Sequence, residues 1–167
     1  RSSAASDVYK RQQITDLLKN FQPDLIINAA AYTAVDKAET EANLAFAINA
    51  DAPELMAKYA VSHGASLLHF STDYVFDGNK QGAYTEVDQT NPLSVYGKSK
   101  EAGERAIVET FGAGANQDGQ YAILRTSWVY GDGSNFIRTI LRLAAERASL
   151  RVINDQFGAP TNTNWLA

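Results

Sequence analysis

Pro23 breaks a helical pattern, and the run after it, Asp24-Leu25-Ile26-Ile27-Asn28-Ala29-Ala30-Ala31, constrains the fold more than any other stretch. A continuous apolar run of this length, closed by small side chains, suits a strand buried on both faces of a parallel sheet. A second such run spans Ala65 to Thr72, with Leu67, Leu68 and Phe70, and leads directly into Ser71-Thr72-Asp73. Tyr121 to Thr126 reads as a third strand and Arg151-Val152-Ile153 as a short one. Helical spacing separates them. Ile14, Leu17, Leu18 and Phe21 mark a short amphipathic helix. Leu44, Ile48, Leu55, Met56 and Tyr59 face inward on a helix from Glu41 to His63, with Pro53 marking a kink or a break and Gly64 the end. A third helix starts near Ser94, a good N-cap. A fourth, capped by Ser134 or Asn135, runs through Arg147 with Phe136, Ile137, Ile140, Leu141 and Ala144 inward. Alternating strands and helices predict an α/β fold, a mostly parallel sheet with flanking helices.

Charge and composition narrow the chemistry. A net charge of −4 gives no electrostatic reason to expect nucleic acid or an anionic membrane as partner. With no cysteine, disulfides, thiolate metal sites and cysteine nucleophiles are excluded. Two histidines, His63 and His69, are too few for a histidine-rich zinc site. No run reaches the roughly 20 apolar residues of a membrane span, and no signal-peptide pattern opens the chain. A cytoplasmic enzyme or binding domain is the general expectation. Arg1 to Gln12 shows neither periodicity and resembles translated adapter sequence, so it is expected to be a non-native leader.

Tyr96-Gly97-Lys98-Ser99-Lys100, at the start of the third helix, carries the sharpest chemical signal. Four residues make about one helical turn, which puts Tyr96 and Lys100 side by side on one face. An ammonium there favours the phenolate and lowers a pKa that is ordinarily about 10. The pair can then move a proton to or from a carbonyl or alcohol. Spacing alone also fits an aromatic core residue beside a solvated lysine. Ser71, Thr72 and Asp73 lie at a strand's carboxyl end, where open parallel sheets bind ligands, although such residues also cap strand-end turns. Asp73 with Asp77 admits a weaker reading as a glycosidase-like acid pair. The acidic stretch from Thr33 to Glu41 reads as a solvated loop or helix start rather than a metal cluster. Gly97 and Gly103 inside a helix point to something packed closely against it.

Five ordered blocks carry a resemblance. They are Asn28 to Glu39, Ser71 to Gly78, Tyr96 to Lys100, Arg125 to Gly131 and Asp155 to Thr161. Together they resemble the dTDP-4-dehydrorhamnose reductases, a family of extended short-chain dehydrogenases/reductases. The resemblance implies a Rossmann-like fold and reduction of a nucleotide-linked 4-keto-6-deoxy sugar, dTDP-4-dehydro-L-rhamnose, by NADPH or NADH. It implies that Tyr96 donates the proton, that Lys100 binds the nicotinamide ribose and lowers the tyrosine's pKa, and that Thr72 bonds the reacting oxygen. By the same resemblance Thr72, Asp73 and Trp128 hold the sugar nucleotide, and Ala31, Tyr32, Thr33 and Phe70 line the cofactor with Tyr96 and Lys100. No metal ligand is assigned, though some full-length members hold magnesium and many are homodimers.

One departure stands out. Family members open with a glycine-rich turn that holds the cofactor pyrophosphate, and no Gly-x-x-Gly-x-x-Gly or Gly-x-Gly-x-x-Gly occurs here. The expectation is an internal stretch of a longer reductase lacking the N-terminal glycine-rich βαβ unit. Residues 13–148 would form the C-terminal part of the cofactor domain, and 149–167 the start of a small substrate domain. Such a chain alone should bind NADPH or NADH poorly and turn over little. The alternative is a non-catalytic regulatory subunit resembling the methionine adenosyltransferase beta subunit. The Trp128 block and the Gln156-to-Thr161 block favour the reductase. A dehydratase would carry Asp-Glu after the threonine, where Asp73-Tyr74 stands.

Overall fold

The computed structural model describes residues 3–113, 119–133 and 135–167. The chain divides into two compact units, Arg1–Arg125 and Thr126–Ala167.

In the first unit the elements run α1 (Ser3–Phe21), β1 (Leu25–Asn28), α2 (Val35–Ala38), α3 (Ala42–Phe46), a π turn (Ala47–Asp51), α4 (Ala52–His63) and β2 (Ser66–Thr72). A 3-10 turn (Asp73–Val75), α5 (Val95–Ala113) and β3 (Tyr121–Thr126) follow. The sheet order is β1-β2-β3, and β1 pairs parallel to β2 with Leu25 opposite Ser66 and Asn28 opposite His69. The α/β reading, with parallel pairing and flanking helices, is therefore what the chain adopts.

The core lies between the sheet and its helices. Ile26 and Leu67 pack with Ala57, Tyr59 and Ala60 of α4 and Ile107 and Phe111 of α5, and Leu18 of α1 closes the edge. Burying each large side chain here stabilises the fold by about 1.5–3 kcal/mol. Fully buried alanines, Ala45 on α3 and Ala57 and Ala60 on α4, let these helices pack closely.

Four expectations need correction. β1 is buried on one face rather than two: Leu25 and Ile27 are 56% and 58% exposed. Successive strand residues point to opposite faces, and α1, α4 and α5 all supply core partners to the face of Ile26. The first helix begins at Ser3 rather than Ile14, and Leu17 and Phe21 on its apolar stripe are exposed. The helix expected from Glu41 to His63, with Pro53 marking a kink or a break, is interrupted as that proline suggests, but by a whole π turn ahead of it, so that Pro53 lies in the first turn of a second helix, α4. Proline has no N–H to donate to the carbonyl four residues back, so the register widens just before it. Gly64 ends α4 in the left-handed conformation at φ 68°, as its position suggests.

In the second unit β4 (Val129–Tyr130) pairs parallel to β5 (Thr161–Asn162), with α6 (Phe136–Glu146) between them and α7 (Thr163–Leu166) after. Asn135 caps α6 by accepting from the Arg138 N–H; Ser134, the other candidate cap, lies outside the described residues. The fourth correction falls here. Arg151–Ile153 forms no strand, and Phe136, Ile137 and Leu141, expected to face inward, are exposed. The amphipathic spacing is present, but among the described residues nothing covers these three side chains.

Candidate active site

The first unit gathers its polar residues where β1 and β2 end. Ser94 caps α5 through its Oγ, which accepts from the Gly97 N–H at 3.0 Å, while the Glu39 carboxylate accepts from the Val95 N–H at 2.8 Å. These two caps fix where α5 begins and so where Tyr96 and Lys100 project. Gly97 and Gly103 then allow the close approach expected of them. A side-chain carbon at Gly97 would collide with the Tyr74 carbonyl, and one at Gly103 with the Asn49 carbonyl.

Thr72, the last residue of β2, is buried and hydrogen-bonded to the Tyr96 phenol. Its single hydroxyl proton is shared between the phenol oxygen and Asp73 Oδ1, 3.1 Å away, and its oxygen accepts from the Tyr74 N–H. Tyr74 meets Tyr96 edge to face, with centroids 5.5 Å apart. Lys100 is 1% exposed, and its Nζ donates to the Phe70 carbonyl at 2.6 Å. The structure thus brings Thr72, Asp73, Phe70, Tyr96 and Lys100 together.

Charge behaviour at this cluster departs from the expectation for the tyrosine. The Tyr96 pKa is raised, chiefly by burial, with the Thr72 hydrogen bond opposing and the charges of Asp73 and Tyr74 adding. Burial removes the water that would solvate a phenolate, and this outweighs the Thr72 hydrogen bond; the Lys100 ammonium is not among the causes of the shift. Lys100 itself is lowered to about 8 by burial, against the pull of Glu104. Burial also raises the Asp73 carboxyl. Asp77 behaves oppositely: N–H and O–H donors from Asn79, Asn91 and Tyr84 hold it down to about 2. Both oxygens of the Asp77 carboxylate are thus bonded within its own loop, which it organises.

Ala31, Tyr32 and Thr33 form the loop after β1, and Asn49 holds that loop. The Asn49 side chain, fully buried in the π turn, accepts from the Tyr32 N–H at 2.8 Å and donates to the Tyr32 carbonyl at 3.1 Å. It also donates to Ser99 Oγ at 2.9 Å, and Ser99 in turn donates to the Tyr96 carbonyl. Loop, π turn and α5 are joined through one amide. Sequence reasoning missed Asn49, Ser99, Asn28 and His69. The available signal was a polar residue at an inward-facing position of an otherwise apolar element, with Pro53 four residues after Asn49 as a second hint.

Trp128 belongs to the second unit. Its backbone adopts φ 46°, a left-handed conformation that costs a bulky residue about 1–2 kcal/mol. The indole lies against Gly158, where an added side-chain carbon would come within 2.9 Å of the ring. Around it the Arg125-to-Gly131 and Asp155-to-Thr161 blocks are stitched together. Ser127 Oγ donates to the Ala159 carbonyl at 2.7 Å, and Thr161 Oγ1 donates to the Ser127 carbonyl at 2.7 Å. The strain at Trp128 is held by these bonds, and it leaves the indole half-exposed.

The family described as RmlD substrate binding domain matches residues 1–167. The chain belongs to that family.

Among its relatives, the dTDP-4-dehydrorhamnose reductase of Shigella flexneri is 50% identical over 162 residues, 96% of this chain and 52% of the relative. The crystal structure of a dTDP-4-dehydrorhamnose reductase from Clostridium acetobutylicum matches with a TM-score of 0.83 and 42% identity, over 92% of this chain and 52% of that one. That of the Bacillus anthracis reductase in complex with NADP matches at 0.82 and 40% identity, over 93% and 53%. The chain therefore spans about half the length of the curated relatives it matches.

For a family member, the residues present fit the nicotinamide end of a dinucleotide. Lys100 carries a buried cationic donor at the carboxyl end of β2, and the Asn49-braced loop flanks it at the end of β1. They do not fit the pyrophosphate, since the chain contains no glycine-rich phosphate-binding turn.

Proposed function

We propose that this chain carries the proton-donating and part of the substrate-binding portion of an NADPH- or NADH-dependent reductase, acting on dTDP-4-dehydro-L-rhamnose to give dTDP-L-rhamnose. The observation that carries this reading is the buried Thr72–Tyr96 hydrogen bond beside the buried Lys100, in a member of the RmlD substrate binding domain family.

A phenol whose pKa is raised keeps its proton at neutral pH, which suits a donor to a carbonyl oxygen being reduced. Thr72 is the second group able to hydrogen-bond that oxygen, fixing it relative to the phenol. When bound, the nicotinamide supplies the hydride that adds to C4 of the sugar. Lys100, with one proton on the Phe70 carbonyl, has further N–H bonds for the nicotinamide ribose. Ala31, Tyr32, Thr33 and Phe70 would line the cofactor. Asp73 and Trp128 would hold the sugar nucleotide, the aspartate through its carboxylate and the half-exposed indole through its flat face. On this reading residues 13–148 serve the cofactor portion, and the isolated chain binds NADPH weakly for want of a phosphate-binding turn.

The test uses the full-length reductase containing these residues. NADPH oxidation is followed with dTDP-4-dehydro-L-rhamnose, comparing wild type with Tyr96→Phe. Turnover that falls at least about a hundredfold in the variant supports the reading. A folded, NADPH-binding protein with no turnover would instead favour a regulatory subunit.

A further inference from the structure

His69 lies at the centre of β2 and is fully buried, and nothing in the proposed chemistry uses it. Its two ring nitrogens face two different partners. Nδ1 is 2.9 Å from the Asn28 Nδ2 on the neighbouring strand, the parallel register placing Asn28 opposite His69. Nε2 is 3.3 Å from the Nζ of Lys100.

The amide of Asn28 can be oriented without ambiguity. The Ala30 N–H lies 3.3 Å from Oδ1, and a backbone N–H can only donate, so the atom facing it is the oxygen. The amide nitrogen therefore faces the ring and donates to Nδ1. A neutral imidazole accepting at Nδ1 must carry its hydrogen on Nε2. The ring is neutral, since burial first and the Lys100 charge second push its pKa down to about 3. The Nε2–H consequently points at the Lys100 nitrogen. Toward an ammonium this sets one donor against another; toward a free amine it makes an N–H···N hydrogen bond. At 3.3 Å the two nitrogens are close enough for the protonation state of the lysine to decide between attraction and repulsion.

We propose that Asn28 and His69 form a positioning dyad for Lys100, Asn28 locking the imidazole as the Nε2–H tautomer so that its N–H favours the uncharged amine of the lysine. Other charged or titratable groups around Lys100 are Tyr96 one turn before it and Glu104 one turn after, and Glu104 is committed to Arg125 at 2.6 Å. Glu104 pulls the lysine toward its charged form, so the dyad and burial act against it. If the reductase reading holds, the consequence is a lysine able to release and regain a proton near neutral pH beside the proton-donating tyrosine.

The test needs neither cofactor nor substrate, so its outcome is separable from that of the reductase assay. Long-range 15N spectra of this chain contain only two imidazoles, those of His63 and His69. The expected result is Nε2 protonated and Nδ1 bare for His69, with its nitrogen shifts moving at the Lys100 midpoint, near pH 8, although the ring itself does not titrate there. The Lys100 13Cε titration is then read in Asn28→Leu and in His69→Gln. Asn28→Leu frees the ring to carry its proton on Nδ1 and accept from the ammonium at Nε2; the glutamine can turn its carbonyl to the same nitrogen. Both should raise the Lys100 midpoint by about one pH unit, a tenfold gain in proton affinity. Burial alone predicts the opposite for Asn28→Leu, because leucine makes the surroundings more apolar. An Nδ1–H tautomer in the wild type would overturn the proposal, and so would a midpoint that stays or falls in folded variants. Should neither variant fold, the wild-type tautomer and its response near pH 8 decide the matter.

Discussion

The backbone of Gly103 on α5 lies against the carbonyl oxygen of Asn49 in the π turn, so closely that any side chain at 103 would collide with it. The same carbonyl is the one Pro53, lacking an N–H, cannot engage four residues on. Gly103→Ala should push α5 away from the π turn, destabilising the fold by about 1–3 kcal/mol, the usual range for overpacking. Urea unfolding measures this as a lower midpoint at unchanged slope. A neutral or stabilising result would mean the contact relaxes without loss.

Asn49 supports the loop from Ala31 to Thr33 with two hydrogen bonds and α5 with a third. Asn49→Leu keeps the branched shape and heavy-atom count and removes all three, leaving the Tyr32 N–H and carbonyl without their partner and Ser99 with the Tyr96 carbonyl alone. The expected loss is about 2–4 kcal/mol, summing modest contributions from several buried bonds. Amide hydrogen exchange should show protection lost first at Tyr32. Unchanged protection there would assign the loop's order to other contacts.

Glu104, 5% exposed, is held by two N–H groups of Arg125 at 2.6–3.2 Å, and that guanidinium also lies 5.0 Å from the Phe76 ring centre. Arg125→Met strands a buried carboxylate and should cost about 3–5 kcal/mol. Arg125→Met with Glu104→Leu should recover most of that loss, since two apolar side chains need no partner. Thermal unfolding of the wild type, Arg125→Met, Glu104→Leu and the double variant closes the cycle. Equal stability of the single and double variants would show that the stranded charge is not what hurts.

His69 gives a pH dependence of defined sign. Its folded pKa is depressed to about 3 from 6.5, so between those values the unfolded chain binds a proton that the folded chain does not. Stability therefore rises with pH through that window, is fully present above about pH 6.5 and is lost as pH falls toward 3, by on the order of 5 kcal/mol. His69→Phe should be less stable near neutrality but flatter across this range. Urea midpoints at several pH values test the slope, which a carboxylate origin would leave unchanged in the variant.

Thr72→Val removes the hydroxyl that opposes burial at Tyr96, so the phenol's pKa should climb further. In the full-length reductase this predicts a kcat lower by about tenfold to a hundredfold, with the alkaline limb of the pH profile moved upward. An unchanged limb would place the group governing it elsewhere.

The apolar runs at Leu25 and Leu67, the helical spacing around them and the caps at Ser94 and Asn135 announced an α/β chain, because such preferences are local and read residue by residue. Tyr96 and Lys100 were legible for the same reason: one helical turn separates them. The glycines at 97 and 103 told of close packing without naming the partner.

Other relationships had no local signature. Asn49 meets Tyr32 and Ser99 only once the π turn and α5 are packed, across separations of 17 and 50 residues. Asn28 meets His69 through strand register, 41 residues apart. The direction of the Tyr96 pKa was likewise settled by burial, since the four-residue spacing fixes a neighbour but not the solvent around it. The exposed faces of β1 and α6 follow the same logic, for periodicity says which residues share a face and not what covers it. Sequence by itself determined the elements and the residues that share their faces; tertiary structure decided which polar groups lose water together, and it is desolvation that sets their protonation.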